Sequence, residues 1–281
     1  MIWLLLVVCT VFQMYTVDSI VLIWTIELLA GMIANYRLHY YVKIQIYIAP
    51  LLIIQKNYEP NFSCPLEMRI GGDGNGDGPK WVCDPHRFKK MAARRKAMDL
   101  NHPGCVVYSI GSCGDFSFEL GMQKEVGEDI CEYHIFDMGD YGPQVPKELK
   151  RAHYHQWGLK EQDPKVDKPA PGQTFYGLLD TIKLLGHENL DTIDIFKIDC
   201  EGCEWDTFQD WIGEGIPTLL QIQVELHNAL KAGQKVVDFF DSFEKEGYLR
   251  FHKEPNLLWT KGIEYAFLKL EKDFLQEKFN K

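Results

Sequence analysis

No lysine or arginine stands before Arg37. A secretory leader opens on a positive segment, so the apolar start of this chain does not have that form. Basic charge is short overall as well. Thirty Lys and Arg face 40 Asp and Glu among 281 residues, a formal net charge of −10. Phosphate-bearing partners require a basic surface, which argues against nucleic acid as a main partner. One stretch departs from this: Lys89, Lys90, Arg94, Arg95 and Lys96 crowd an expected helix with Met91, Ala92, Ala93 and Ala97. It reads first as a solvated helix face and second as a patch for anionic lipid. Paired cysteine motifs are also lacking. Of the eight cysteines, Cys200 and Cys203 form one C-x-x-C with no second pair, so a zinc or redox reading lacks its usual context. Cys105 falls in an expected strand and reads as a small buried hydrophobe. Cys64 and Cys83 flank a Gly-rich turn and pair if the domain is luminal.

Hydrophobic residues are plentiful, at 46%. The length suits one α/β domain of about 200 residues plus an extension. Residues 1–16 and 19–34 are apolar apart from the flanking Asp18 and the internal Glu27, and a third apolar run covers 44–54. A membrane helix needs about 20 apolar residues, and 19–36 nearly supplies them. The expected organisation is a hydrophobic helical anchor or targeting region over 1–58, a folded domain over 59–271 and a tail over 272–281. Membrane attachment follows, with the secretory pathway as one location. Orientation stays open. Arg37, Lys43 and Lys56 after the run favour a cytoplasmic carboxyl side, whereas Asn61-Phe62-Ser63 is a glycosylation sequon, useful only in the secretory lumen.

From Cys105 the pattern alternates strand and helix. Expected strands are 105–110, 133–137, 193–199 and 219–226, separated by helices starting at Phe116, over 174–185, around Trp205–Ile212 and around Val236–Phe243. Residues 139–171 read as mostly loop. Alternation of this kind implies parallel βαβ units. The last two expected strands, 248–252 and 264–270, have no helix between them and must form an antiparallel hairpin.

The chemistry gathers at expected strand ends, where open α/β sheets bind ligands. Asp199, Glu201 and Glu204 follow the strand through Phe196 and Ile198; the plainer reading is a polar loop favouring a helix amino end. Gly111 and Gly114, with Ser112 and Cys113 between them, form the first strand-to-helix turn, where a bare backbone can approach a ligand. Asp137 either initiates a turn or accepts the ribose hydroxyls of a nucleoside cofactor. The turn lacks a full G-x-G-x-x-G, which counts against nicotinamide. His227, after Glu225 at another strand end, is a candidate general base or a cap on the next helix. Glu225 would orient it or serve as base itself. Asp199, Glu201, Glu225 and His227 could gather a divalent ion, but no spacing requires one and no metal ligand set is assigned. Asp73, Asn75, Asp77 and Asp84 superficially match a calcium loop; a Gly-Asp turn reads better, because position seven is Pro79 and helices should flank such a loop. His153 and His155 form an H-x-H in the long loop, either lining an acceptor pocket or lying on the surface.

Residues 107–119 (VYSIGSCGDFSFE), Phe136-Asp137 and 196–204 (FKIDCEGCE) resemble the methyltransferase-like family related to the FkbM-type methyltransferases. The leading segments 69–73 and 77–84 and the strand ending Gln223-Val-Glu-Leu-His227 are similar to that family too, so the resemblance covers about residues 60–270. It implies a seven-stranded, Rossmann-like fold that uses S-adenosylmethionine (SAM), with the closing hairpin, and makes 59–271 the methyltransferase domain. By position, Gly111, Ser112, Cys113 and Gly114 would face the methionine part of SAM. Asp137 would hold the ribose, Asp199 and Glu201 would adjoin the methyl-transfer end, and Asp199, Glu225 and His227 would be catalytic. The implied reaction is transfer to a hydroxyl of a carbohydrate or small molecule. Ser109 stands where many such enzymes carry an acid, and Asp115 where the broader group often has glycine. These departures keep a non-catalytic binding module as the alternative.

Overall fold

The computed structural model describes residues 57–72, 78–163, 165, 170–256 and 261–270. The apolar 1–56 segment, positions 73–77 of the calcium-like run and the 271–281 tail lie outside the described residues, and so do the expectations that fall on them. Among the described residues no helix is long and apolar enough to cross a membrane.

In chain order, strands β1 (Glu67–Ile70) and β2 (Lys80–Cys83) pair as a hairpin and lead to helix α1 (Arg87–Met98). Then come β3 (Cys105–Ile110), α2 (Ser117–Val126), β4 (Cys131–Phe136) and β5 (Ala152–His155). The short strands β6 (Gly158–Leu159) and β7 (Phe175–Tyr176) pair with each other before α3 (Leu178–Leu185). After them follow β8 (Thr192–Ile198), α4 (Glu204–Thr207), β9 (Thr218–His227), α5 (Ala229–Ala232), α6 (Gln234–Lys245), β10 (Tyr248–Pro255) and β11 (Gly262–Lys269).

Seven strands make one mixed sheet, in the order β10-β11-β9-β8-β3-β4-β5. The five strands β9, β8, β3, β4 and β5 run parallel, while β11 is antiparallel to both β9 and β10. The expected terminal hairpin is therefore present, inserted with β11 against β9. Central β3 is buried at every residue. Its Val106, Tyr108 and Ile110 join one core cluster with Ile182 and Phe239, and its Cys105 and Val107 join another with Phe88 and Met122. A strand buried on both faces belongs to a parallel sheet covered by helices on both sides. Thus α1 and α2 cover one face, and α3, α4 and α6 the other.

Several expectations need correction. The 139–171 stretch contributes β5, an edge strand too short and too rich in histidine to read as one. His153 and His155 therefore stand on the sheet, not in a loop. The Trp205–Ile212 helix is only α4 followed by a 3₁₀ turn, Asp210–Ile212. Cys105 is buried, but it is bonded to Cys131 across β3 and β4. Cys64 pairs with Cys83, and Cys200 with Cys203. Cys113 is free and exposed.

The basic helix α1 is not wholly a solvated face either. Arg95 turns inward and donates from Nη1 to both carboxylate oxygens of fully buried Asp194, at 2.8 and 2.9 Å. Asp194 also accepts the Val106 N–H. Burial pushes its carboxyl up, against the Arg95 guanidinium. Removing one partner of a buried pair strands the other charge at a cost of about 3–5 kcal/mol. Arg95→Ala should lower unfolding stability by about 3 kcal/mol in urea titrations. A loss below about 0.5 kcal/mol would mean that water compensates the Asp194 charge.

Candidate active site

The chain leaves β3 for β4 on one side and returns to β8 on the other, which opens a crevice beyond the ends of β3 and β8. The Gly111 turn forms one wall. Gly111 has φ +75°, and a Cβ there would lie 1.7 Å from the Asp199 carbonyl oxygen, so only glycine lets the turn and the acid loop meet. The Gly111 N–H donates to the Phe136 carbonyl at 2.8 Å, and the Asp199 N–H to Ile110 at 3.0 Å. Asp137 closes the other side of the turn. One carboxylate oxygen accepts the Cys113 N–H at 2.8 Å and the other accepts the Gly139 N–H at 2.8 Å. Each oxygen keeps a lone pair for a further donor. Ser109, where an acid is common, is fully buried on β3 and does not enter the crevice. Beneath the turn, Lys197 Nζ donates to the Gly111 carbonyl at 3.4 Å. Burial raises the Glu119 carboxyl, and Lys197 opposes the shift.

The second wall is a dense group of charges. Lys80, on β2, is buried, and its ammonium lies 3.2 Å from Asp199 Oδ2, 3.8 Å from Glu225 Oε2 and in hydrogen-bond contact with Glu264. Burial works to discharge the ammonium, but the three carboxylates outweigh it and raise its pKa. The hairpin that carries Lys80 is clamped to the sheet. Gln221 of β9 accepts the Cys83 N–H at 2.9 Å and donates to the Cys83 carbonyl at 2.6 Å. Trp81 stacks on His252 and donates to Glu254 at 2.7 Å.

His227 lies beside this group. Fully buried Glu204 accepts the His227 backbone N–H at 2.5 Å and faces Nδ1 at 3.2 Å. That contact turns Nε2 toward Asp199 Oδ1 at 3.5 Å, Glu201 at 3.8 Å and Glu225 at 3.9 Å. Helix α5 is capped at Asn228 without a side-chain bond, so His227 is not a helix cap. Burial works to lower the imidazole, but the Glu204 hydrogen bond and the charges of Glu204, Glu225 and Asp199 outweigh it and raise its pKa to about 9. Burial, with Glu264 and Asp199 nearby, pushes Glu225 up to about 8 against Lys80. Burial would raise Asp199 too, yet Lys80, Lys197 and His227 hold it below the ordinary carboxylate value.

Of the residues singled out in the sequence, Asp199, Glu225 and His227 converge, with Glu201 exposed at the rim. Gly111, Ser112, Cys113, Gly114 and Asp137 form the turn beside them. Orientation of His227 falls to Glu204, not to Glu225. Lys80 and Glu264 went unrecognised, although Lys80 lies in the motif segment 77–84 and Glu264 is the cross-strand partner of Glu225.

The profile of the methyltransferase domain family matches residues 41–269. The chain belongs to that family. No curated protein matches it. Among solved structures, one described as a "putative rRNA-methylase" from Clostridium thermocellum is similar at 13% identity, covering 59% of this chain and 87% of its own, with a TM-score of 0.36. A likeness that low bears on neither fold nor function.

The methyltransferase domain should show its charge cluster in a pH titration of stability. The folded His227 value, about 9, lies above its ordinary 6.5, so that contribution is complete below 6.5 and lost as pH rises through 9. Glu225, at about 8 against 4.5, adds a loss over the lower part of the range. Urea unfolding should therefore show stability falling from about pH 6 to about pH 9, with a shallower fall in His227→Gln. A wild-type slope that is flat or positive would contradict the charge assignment.

Proposed function

We propose that this chain is a SAM-dependent methyltransferase acting on a hydroxyl of a carbohydrate or other small molecule, and that it falls near the FkbM-type group, as its turn and acid-loop motifs suggest. The observation that carries the reading is His227, held by buried Glu204 against Asp199 and directly beside the Gly111 turn. The crevice chemistry suits the cofactor. Asp137 retains acceptor lone pairs for ribose hydroxyls, and Asp199 and Glu201 add negative charge where a cation would lie. Gly111, Ser112, Cys113 and Gly114 would line the methionine part. Bound SAM supplies a sulfonium-activated methyl group for in-line displacement, and the protein's main task is then alignment.

His227 serves as the base that takes the acceptor proton at Nε2, with Nδ1 anchored on Glu204. Its raised pKa keeps it protonated near neutrality, so it must first be discharged. Asp199 orients the acceptor, and Glu225, protonated at neutral pH, contributes a hydrogen bond without further negative charge. An open cleft of about 710 Å³ adjoins the acid loop at Cys203 and is lined by Lys160, Glu161, Gln173, Thr174 and Asp206, with Phe175. Charged and amide side chains beside an apolar face of Leu159 and Phe175 suit a hydroxylated acceptor. With a net charge of −10, a nucleic acid acceptor such as the rRNA named for the distant neighbour is disfavoured.

Three cystines and the exposed sequon residue Asn61 favour an oxidising secretory compartment. The apolar 1–58 region is assigned as its membrane anchor on the strength of its sequence, with 59–271 as the enzyme domain. Two measurements test the proposal. Calorimetry should detect SAM binding that weakens at least about tenfold in Asp137→Ala, equivalent to about 1.4 kcal/mol. Methyl-transfer kcat/KM should rise with pH toward an apparent pKa near 9. SAM bound with no turnover on any hydroxylated acceptor would favour the non-catalytic module, and no SAM binding by a folded chain would remove the enzyme reading.

A further inference from the structure

Four histidines meet at β4 and β5, three on those strands and His187 from just past α3, and the proposed methyl transfer uses none of them. His134 on β4 lies opposite His153 of β5, and its ring stacks on His153 at 5.0 Å between centroids. His187, just past α3, abuts the His134 ring edge-on at 4.7 Å. Glu132, two residues before His134 on the same strand, places Oε1 3.0 Å from His153 Nε2 and 3.8 Å from His134 Nε2. Its other oxygen is engaged by Arg151 at 3.3 Å, which leaves Oε1 for the histidines.

The ring nitrogens are sorted. His134 Nδ1 is in hydrogen-bond contact with His155 Nε2 at 3.0 Å, and His187 Nδ1 with the Tyr108 hydroxyl at 2.8 Å. His134 Nε2 is buried and has no hydrogen-bond partner among the described residues, in a side chain only 6% exposed. A buried imidazole nitrogen without a partner needs an explanation. Imidazoles that bind metal engage the second ring nitrogen in this way.

We propose that Glu132 Oε1, His134 Nε2 and His153 Nε2, with His187 as the fourth side chain, bind a divalent transition-metal ion, zinc in the first instance. Tetrahedral zinc with ligands at about 2.0–2.2 Å sets them about 3.3 Å apart; the two separations from Glu132 bracket that spacing, while the two imidazole nitrogens stand more than 4.8 Å apart and must close on the ion. His153, half exposed, has the freedom to turn from its stack and complete the set. Nitrogen-rich donors select zinc or copper over magnesium and calcium. Because the site lies on β4 and β5, three residues before Asp137, its role would be to pin the edge strand of the sheet.

Two other carboxylate-rich groups could compete for metal: Asp199 with Glu201 and His227, and Asp199 with Glu225 and Glu264. The second already surrounds the Lys80 ammonium. A titration separates these from the histidine site. The purified full chain, stripped with chelator, is titrated with Zn(II) by calorimetry and with Co(II) by visible absorption. One equivalent should bind with the absorption of tetrahedral Co(II), and melting temperature should rise with metal. Affinity should fall at least tenfold in His153→Ala, whose exposed position spares the core, and in Glu132→Gln, but not in Asp199→Asn. Loss of binding in Asp199→Asn with retention in His153→Ala would overturn the proposal. So would the absence of any stoichiometric binding by the folded wild-type chain.

Discussion

The buried ammonium of Lys80 is the interaction on which the crevice depends. Asp199 ends β8, while Glu225 and Glu264 face each other directly across β9 and β11. Like charges opposed on neighbouring strands destabilise a sheet, and burial in low dielectric magnifies their repulsion. A cation must therefore enter from elsewhere, and the β1–β2 hairpin supplies it. The Gln221 clamp and the Trp81–His252 stack hold that hairpin on the sheet, and the Cys64–Cys83 bond ties the segment before β1 to the end of β2. The hairpin is thus part of the site. Its attachment and the ionisation of the acids are one equilibrium seen from two ends.

His227 shares the same field. Its neighbours include Asp199, Glu201, Glu204 and Glu225, so the pull toward protonation comes from several directions. A base must be able to lose its proton, and this surrounding makes the loss harder near neutrality. A bound cation in the crevice would oppose that pull and bring the imidazole toward neutral pH. Occupancy and basicity would then be linked, because the charge that discharges His227 arrives with the reactant. The free protein keeps His227 protonated for the same reason that it keeps its acids close.

The sheet was largely legible because period-two burial, glycine stops and the helix-free closing hairpin are local signals. Central β3, β8 and β9 stand out as apolar runs, β3 ending in the Gly111 turn and β8 and β9 in acids. The edge did not. Ala152–His155 carries two histidines within four residues, and only its pairing with β4 makes it a strand. The partnership of Glu204 with His227 and the arrival of Lys80 were not legible for another reason. Glu204 looks like an acid at a helix amino end, and its bond to His227 spans 23 residues. Lys80 reaches residues more than a hundred positions away. Partnerships at that separation leave no periodicity to read. The Cys105–Cys131 bond is in the same category, since Cys105 is as buried as a hydrophobe should be and nothing local points to Cys131, whereas the Cys64–Cys83 pair is legible from the turn between the two cysteines.

Two buried charge groups in this domain invite opposite conclusions. Asp194 is met by Arg95 at 2.8 and 2.9 Å and by the Val106 N–H, a compact arrangement that satisfies the carboxylate. The crevice group is looser. Lys80 lies 3.8 Å from Glu225, His227 lies 3.5 Å from Asp199, and Glu225 is displaced to about 8. Buried ion pairs rarely exceed in stability the apolar packing that could replace them, and an incompletely satisfied group is worse than either alternative. A fold maintained for packing alone would gain by simplifying the crevice while keeping the Arg95–Asp194 pair. Perturbed, incompletely paired acids at strand ends beside a glycine turn are what a site requires and a core does not. The contrast within one sheet weighs for a working methyltransferase crevice over an inert one.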